Sequence, residues 1–262
     1  MRGLLNMIVC EFGKLKRKKL FRIAFLTTFV MPLLYFLILD DTTLENMMSV
    51  VKTDNAFLLL IPFSVVLAAN LFFEEHDCDT LKNLMCIPVT KGRLTLAKLF
   101  VILIFDIGYE LAGGISAVLL TAISGESLEG LWLEIFLAAG SGILIWAAAM
   151  PCILFVVWCN RSYIISVIIA FAYTVINYIL HVNDSFIMVP IGFNIPTLLP
   201  VPMISRWLYQ YHSLEDAGQE TIDFYNRFRP YFVSTPVIFA VLLGEAAVCV
   251  MLMIKVYRKQ SV

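Results

Sequence analysis

The sequence predicts an all-α membrane protein of six transmembrane helices with both termini on the cytoplasmic side. Three observations carry that prediction. Hydrophobic residues make up 60% of the 262 residues and charged residues only 15%, and the mean hydropathy is +0.87. A soluble domain carries about a quarter charged residues, and one core of this size could not bury so many apolar side chains, so lipid has to serve as a second solvent. Six stretches are apolar over about the 20 residues that a helix needs to cross the hydrocarbon core. Finally, the charges are segregated along the chain although they nearly cancel in total, to a net charge of -1.

The six stretches run from Ile23 to Leu39, Ala56 to Phe73, Leu96 to Ile123, Leu131 to Trp158, Ile164 to Val182 and Val237 to Ile254. They are apolar on all sides, whereas the strands of a membrane barrel would alternate with period two. The third and fourth are long enough to tilt or to reach past the bilayer surface. Of the 19 Lys and Arg, 15 fall in residues 1–22, in the loops after the second and fourth stretches, at the start of the third and at the C-terminal end. The other four, Lys52, Arg206, Arg227 and Arg229, fall in segments that an even number of spans places outside. The positive-inside rule therefore puts both ends in the cytoplasm.

Residues 1–22 place Leu4, Leu5, Ile8, Val9, Phe12 and Leu15 at helical spacing beside a cluster of lysines. That pattern predicts an elbow helix lying in the cytoplasmic interface, with no cleaved leader. Residues 40–55 read as a short acidic outer loop and residues 125–130 as a shorter one. Residues 183–235 form the large outer segment. Its first half is apolar but interrupted by Pro190, Pro196, Pro200 and Pro202, which prevent a straight spanning helix. It is expected to dip into or lie on the outer leaflet, with Phe193, Trp207, Tyr209 and Tyr211 as aromatic groups at that surface. The second half reads as a short amphipathic helix. None of Cys10, Cys78, Cys86, Cys152, Cys159 and Cys249 falls in an outside segment, so no disulfide framework is expected.

The most informative segment is residues 74–95, between the second and third stretches. It opens with Glu74, Glu75, Asp77 and Asp79, and then Leu81, Leu84 and Met85 share one helical face with Lys82 and Asn83 opposite. Asp79 or Thr80 is placed to cap the N-terminus of that short helix, Pro88 ends it, and Thr90 can cap the next. A cytoplasmic helix with an apolar patch needs something to pack against, and a soluble partner is the natural candidate.

The run "DTLKNLMCIPVTKGRLTLAK" after a cluster of acids resembles the first cytoplasmic loop of type-2 ABC transporter permeases. In that family an acid precedes T-L-x-x-L-x-x-x-P-V-[ST]-[KR] and a lysine opens the third span. The resemblance implies that Asp79, Thr80, Leu81, Lys82, Asn83, Leu84, Met85 and Pro88 form or bound the coupling helix that docks on a cytoplasmic ABC ATPase. The elbow, the six-span layout and the long outer segment fit the same family. Within it the chain is similar to the lantibiotic-immunity and bacitracin-resistance permeases. That similarity implies export of a peptide antibiotic from a bacterial cell membrane, with a second copy of the chain or a related permease as partner. Nucleic acid is not among the expected partners.

No G-x-x-x-x-G-K-[ST] cradle occurs, so ATP and Mg²⁺ are expected to be bound by the partner ATPase and the chain itself is not expected to be an enzyme. Charged groups inside a bilayer are costly, which singles out Asp106 and Glu110 on one face of the third span, Glu245 in the sixth and Glu134 near the outer end of the fourth. They are candidates for contact with a cationic substrate or for rearrangement during transport; equally, they could hydrogen-bond neighbouring helices, with Tyr109, Tyr173 and Asn177 as donors. No metal site is expected: the acids around His76 are consecutive and cannot all point at one ion. An intramembrane enzyme, a non-transporting immunity protein and an exporter of another lipid or amphiphile are the competing readings. Co-purification with an ATPase separates the transporters from the other two.

Overall fold

The computed structural model describes residues 2–38, 42–77, 90–159, 163–192, 194–214 and 218–259, and every regular element among them is helical. Helix α1, Arg2–Arg17, carries Lys14, Lys16 and Arg17 in its last turn, where cations complement the helix dipole. It stops at Lys18, whose backbone is extended. Leu15 and Glu11 are buried on its inner face, and Leu5 and Val9 are exposed on the opposite side.

Helix α2, Lys19–Ile38, tightens into a 3-10 turn over Thr27–Phe29 just before Pro32. The proline has no N–H to give to the Thr28 carbonyl four residues back. That carbonyl instead accepts the Asn55 side-chain amide at 3.2 Å, so the break is repaired by the neighbouring helix.

Helix α3 joins three segments end to end: Leu44–Val50, a π-helical stretch Val51–Leu60, and Ile61–Asp77. It thus starts well before the expected second span and absorbs most of the residues read as an acidic outer loop. The polar residues in this stretch suggested solvent, but each has a partner in the fold. Glu45 meets His212, Lys52 meets Glu134, Asp54 accepts from Tyr35 and Tyr178, and Asn55 meets Thr28 and Tyr109.

Helix α4, Lys91–Ser124, is 34 residues long and ends where Gly125 turns left-handed, at φ 81°. Thr90 occupies its N-cap position without a side-chain capping bond. Helix α5, Leu131–Cys159, holds Pro151 inside it, and the Tyr173 hydroxyl donates to the nearby Ala148 carbonyl at 2.7 Å. Helix α6 is Tyr163–Val182, followed by the short α7, Asp184–Ile187, a 3-10 turn at Ile195–Leu198, and α8, Pro200–Tyr209. Helix α9, Gln219–Phe228, leads through a 3-10 turn into α10, Thr235–Lys259.

Among the described residues, five segments are long and apolar enough to cross a membrane: Lys19–Ile38, Leu44–Phe73, Leu131–Cys159, Tyr163–Val182 and Thr235–Val256. Helix α4 stands outside that set although it runs through the middle of the bundle, packed against α1, α3, α5 and α10. Gly142 of α5 is where α4 and α5 come closest: a Cβ there would sit 2.9 Å from the Ile107 Cα. Gly113 similarly admits Thr28 and Val51 against α4, whereas Gly108 faces open space and contributes no such contact.

Candidate functional site

The polar residues of the bundle converge on the α3–α4–α5 interface. Three residues of α4, Lys98, Asp106 and Glu110, are separated by eight and four positions, so they share one face of a 3.6-residue helix. All three are fully buried. Near the N-terminal end of α4 the Lys98 ammonium donates to the Leu71 carbonyl of α3 at 2.5 Å and lies over the Phe72 ring.

Halfway along α4, the Asp106 carboxyl contacts the Ser64 hydroxyl of α3, which also reaches the Leu60 carbonyl at 2.9 Å. One turn further out, Glu110 lies 3.2 Å from the Ser141 hydroxyl of α5, which reaches the Ala138 carbonyl at 2.8 Å. The second oxygen of each acid, Asp106 Oδ2 and Glu110 Oε1, has no partner among the described residues. Serines from α3 and α5 therefore hold these acids. The tyrosines and the asparagine expected as donors go elsewhere: Tyr109 to Asn55 and Thr27, Tyr173 to the Ala148 carbonyl, and Asn177 to the Tyr173 carbonyl.

Two turns above Ser141 on α5, Glu134 forms a 2.5 Å ion pair with Lys52 of α3, and both side chains are under a tenth exposed. Glu134 was singled out by sequence, but Lys52 was not, because it was read as one of the few outer-loop cations. Its signal was its place three residues before Asn55, near the start of an apolar run.

This pair lies on the wall of a cavity of about 70 Å³ at the end of the bundle where α3 and α5 begin, lined also by Glu45, His181, Ser205 and His212. Such a volume holds a few waters and is too small for a peptide. Across it the His212 ring contacts Glu45 at 2.6 Å, and the Ser213 amide donates to the same carboxylate at 2.8 Å. His181 Nδ1 meets the Ser205 hydroxyl at 2.6 Å.

Glu245 of α10 stands apart from this column, half-buried, with one oxygen lacking a partner among the described residues.

The proline-rich outer segment departs from expectation. Helix α8 is buried over nearly its whole length, with Val201, Met203, Ile204 and Arg206 at 0% and Trp207 at 2% exposure. The Trp207 indole donates to the Thr235 hydroxyl and packs edge-on to Tyr211 and Phe239, so it is anchored in protein rather than in the lipid surface. The Tyr209 ring lies tilted against Phe224 and edge-on to Phe228 of α9 and also borders the cavity. Arg206 was read only as an outer charge, yet it is buried and donates to the carbonyls of Phe186 and Ile187, which fastens α7 to α8. Prolines interrupt the apolar stretch, and the short helix between them folds back over the start of α5, the end of α6 and the start of α10.

Asp79, Thr80, Leu81, Lys82, Asn83, Leu84, Met85, Pro88 and Phe193 lie outside the described residues. Among the described residues no cluster of His, Cys, Asp and Glu has the arrangement of a metal site.

No curated protein is similar enough to the chain to count as a match. Residues 7–177, well over half of the chain, match the family described as ABC-2 family transporter protein. With that match spanning α1 to α6 around a buried polar column, the chain belongs to the ABC-2 transporter permease family.

Proposed function

We propose that this chain is the permease subunit of a bacterial ATP-driven exporter that expels a peptide antibiotic of the lantibiotic or bacitracin type. Family membership makes it a multi-pass membrane permease that works with an ABC ATPase subunit. The finer reading adds six crossings with α4 as the third, both termini in the cytoplasm, and α1 as an elbow helix along the inner surface. The loop between α3 and α4 would be the coupling helix.

The observation that carries the reading is the "TLKNLMCIPVTK" motif between two long helices of the matched region. At 1.5 Å per residue, the 34 residues of α4 span about 51 Å, well beyond a hydrocarbon core of about 30 Å. A helix that long supports a loop held clear of the bilayer, where a soluble ATPase can reach it. ATP and Mg²⁺ would bind to that ATPase, and closure of its nucleotide sites would be passed through Leu81, Leu84 and Met85 into α3 and α4. A second permease, identical or related, would complete the transporter.

Leu84→Asp places a charge in the proposed docking patch, so co-purification of the full chain with its ATPase should fall to background while the permease still inserts. Wild-type association of that variant would remove the coupling assignment. For the substrate, cells carrying the permease and its ATPase should tolerate more bacitracin or lantibiotic than cells lacking the permease. Equal sensitivity to a panel of such peptides would leave the exporter reading without its cargo.

A further inference from the structure

We propose that Asp106 and Glu110 form a proton-binding site in the middle of the bundle, loaded in the arrangement described here and reached from the outer cavity through Lys52. This goes beyond the exporter reading and does not depend on what is exported.

A serine hydroxyl has one hydrogen to donate. Ser64 faces two oxygens, the Leu60 carbonyl of its own helix and Asp106 Oδ1. Ser141 repeats the arrangement with the Ala138 carbonyl and Glu110 Oε2. If both acids were ionised, each serine would have one hydrogen for two acceptors, and at each site either the helix carbonyl or the carboxylate oxygen would face a serine lone pair.

Protonation balances both sites. The carboxyl O–H donates to the serine oxygen, and the serine hydrogen goes to its own helix carbonyl. What remains is one carbonyl-type oxygen on each acid, Asp106 Oδ2 and Glu110 Oε1, the two atoms without a partner. A neutral C=O is far cheaper to leave unpaired than half of a buried carboxylate. Both acids are fully buried one helical turn apart, and no Lys or Arg forms an ion pair with either among the described residues. Two like charges so placed could not both persist.

The charged groups packed around the pair are otherwise engaged. On α3, Lys52 holds Glu134 of α5, and Asp54 accepts from Tyr35 of α2 and Tyr178 of α6. On α4 itself, Lys98 donates to the Leu71 carbonyl and Tyr109 to Asn55. At the inner end Glu11 pairs with Lys14 of α1, and Glu245 and Cys249 come from α10. Among the described residues Lys52 links the cavity to this part of α4. It borders the water-sized cavity, bonds Glu134, and follows Val51, whose side chain packs on Gly113 one turn along α4 from Glu110. When its ammonium leaves Glu134 for Glu110, an ionised Glu110 gains a partner and its proton is released outward. The return swing lets a proton from outside water rebind to the carboxylate oxygen.

Infrared difference spectroscopy of the full-length permease in oriented proteoliposomes tests the site and its access together. At neutral pH the wild type should show the C=O band of neutral carboxyl groups. Asp106→Asn and Glu110→Gln, which keep shape and volume, should each remove part of that band, and the double variant should remove more than either. An unchanged band in the double variant would overturn the proposal. In the wild type alone, raising the external pH should bleach the band and raising the internal pH should not. A response confined to internal pH would overturn the outward route. Lys52→Met combined with Glu134→Leu should slow bleaching by an order of magnitude, and an unchanged rate would count against Lys52 as the carrier.

Discussion

The helices at the centre of the bundle and those at its edge are alike in hydropathy and differ in the solvent they meet. In the central segments Leu44–Phe73 and Leu131–Cys159 an apolar 18-residue stretch has a mean hydropathy of 2.4 and 2.3, with 78% and 61% of that stretch buried in protein. The corresponding stretches of the edge segments Lys19–Ile38, Tyr163–Val182 and Thr235–Val256 have values of 1.9, 2.0 and 2.7, yet only 17%, 22% and 22% of each is buried. Apolar character therefore says that a helix avoids water and does not say whether protein or lipid replaces it. Polar placement supplies what hydropathy lacks. Lys52, Ser64, Asp106, Glu110, Glu134 and Ser141 all sit on the central helices, where a neighbour can answer them. The outward residues of the edge, such as Leu37, Ile168, Ile179 and Met251, are apolar and exposed.

The sharpest way to break this contrast is to strip one partner from a central ion pair. Lys52→Met leaves Glu134 buried without a counter-charge, and unfolding in detergent should become easier by roughly 3–5 kcal/mol. Adding Glu134→Leu should restore most of that loss, because a buried ion pair is often replaceable by apolar packing. If the double variant is as unstable as the single one, the pair has a structural role that packing cannot fill.

A smaller effect is expected at the central crossing. Gly142→Ala drives a methyl into the α4 backbone at Ile107 and should cost about 1–3 kcal/mol. Gly108→Ala on α4 meets nothing within 4 Å and should gain up to about 1 kcal/mol from helix propensity. Opposite signs in one thermal-melt series would establish that contact, and not glycine content, sets the packing of α4.

The smallest effect belongs to the edge. Ile168→Ala, at 63% exposure on α6, should change the stability of the isolated chain by less than about 0.5 kcal/mol, because it exchanges one lipid contact for another. A larger loss that grows on dilution would identify that face as covered by another subunit.

Much of the helical layout was legible because lipid imposes a length and a composition on anything that crosses it. The stretches at Leu131 to Trp158 and Ile164 to Val182 lie within one residue of α5 and α6 at each end. The start of α3 was not legible: Glu45, Lys52, Asp54 and Asn55 look like loop residues until His212, Glu134, Tyr35 and Thr28 are brought to them from three other parts of the chain. The acids Asp106, Glu110 and Glu134 stood out by cost alone, but Ser64 and Ser141 did not. A serine in an apolar helix carries no signal, since it can always satisfy itself on the carbonyl a turn back. Trp207 and Arg206 misled for a related reason. An aromatic or an arginine near a predicted membrane surface has an obvious place at the interface, and only the fold of α8 shows that both are enclosed by protein.

By itself the sequence determined that this chain lives in a membrane, that its helices carry a few costly acids, and that a family motif joins two of them. The tertiary structure decided which helices are central, which serine faces which carboxylate, and which lysine sits above them. The first set follows from local chemistry, because hydropathy and unpaired charge are properties of short segments read against one solvent. The second depends on contacts between residues as far as 168 positions apart, as for Glu45 and Ser213, and no local pattern encodes the partner that closes such a pair.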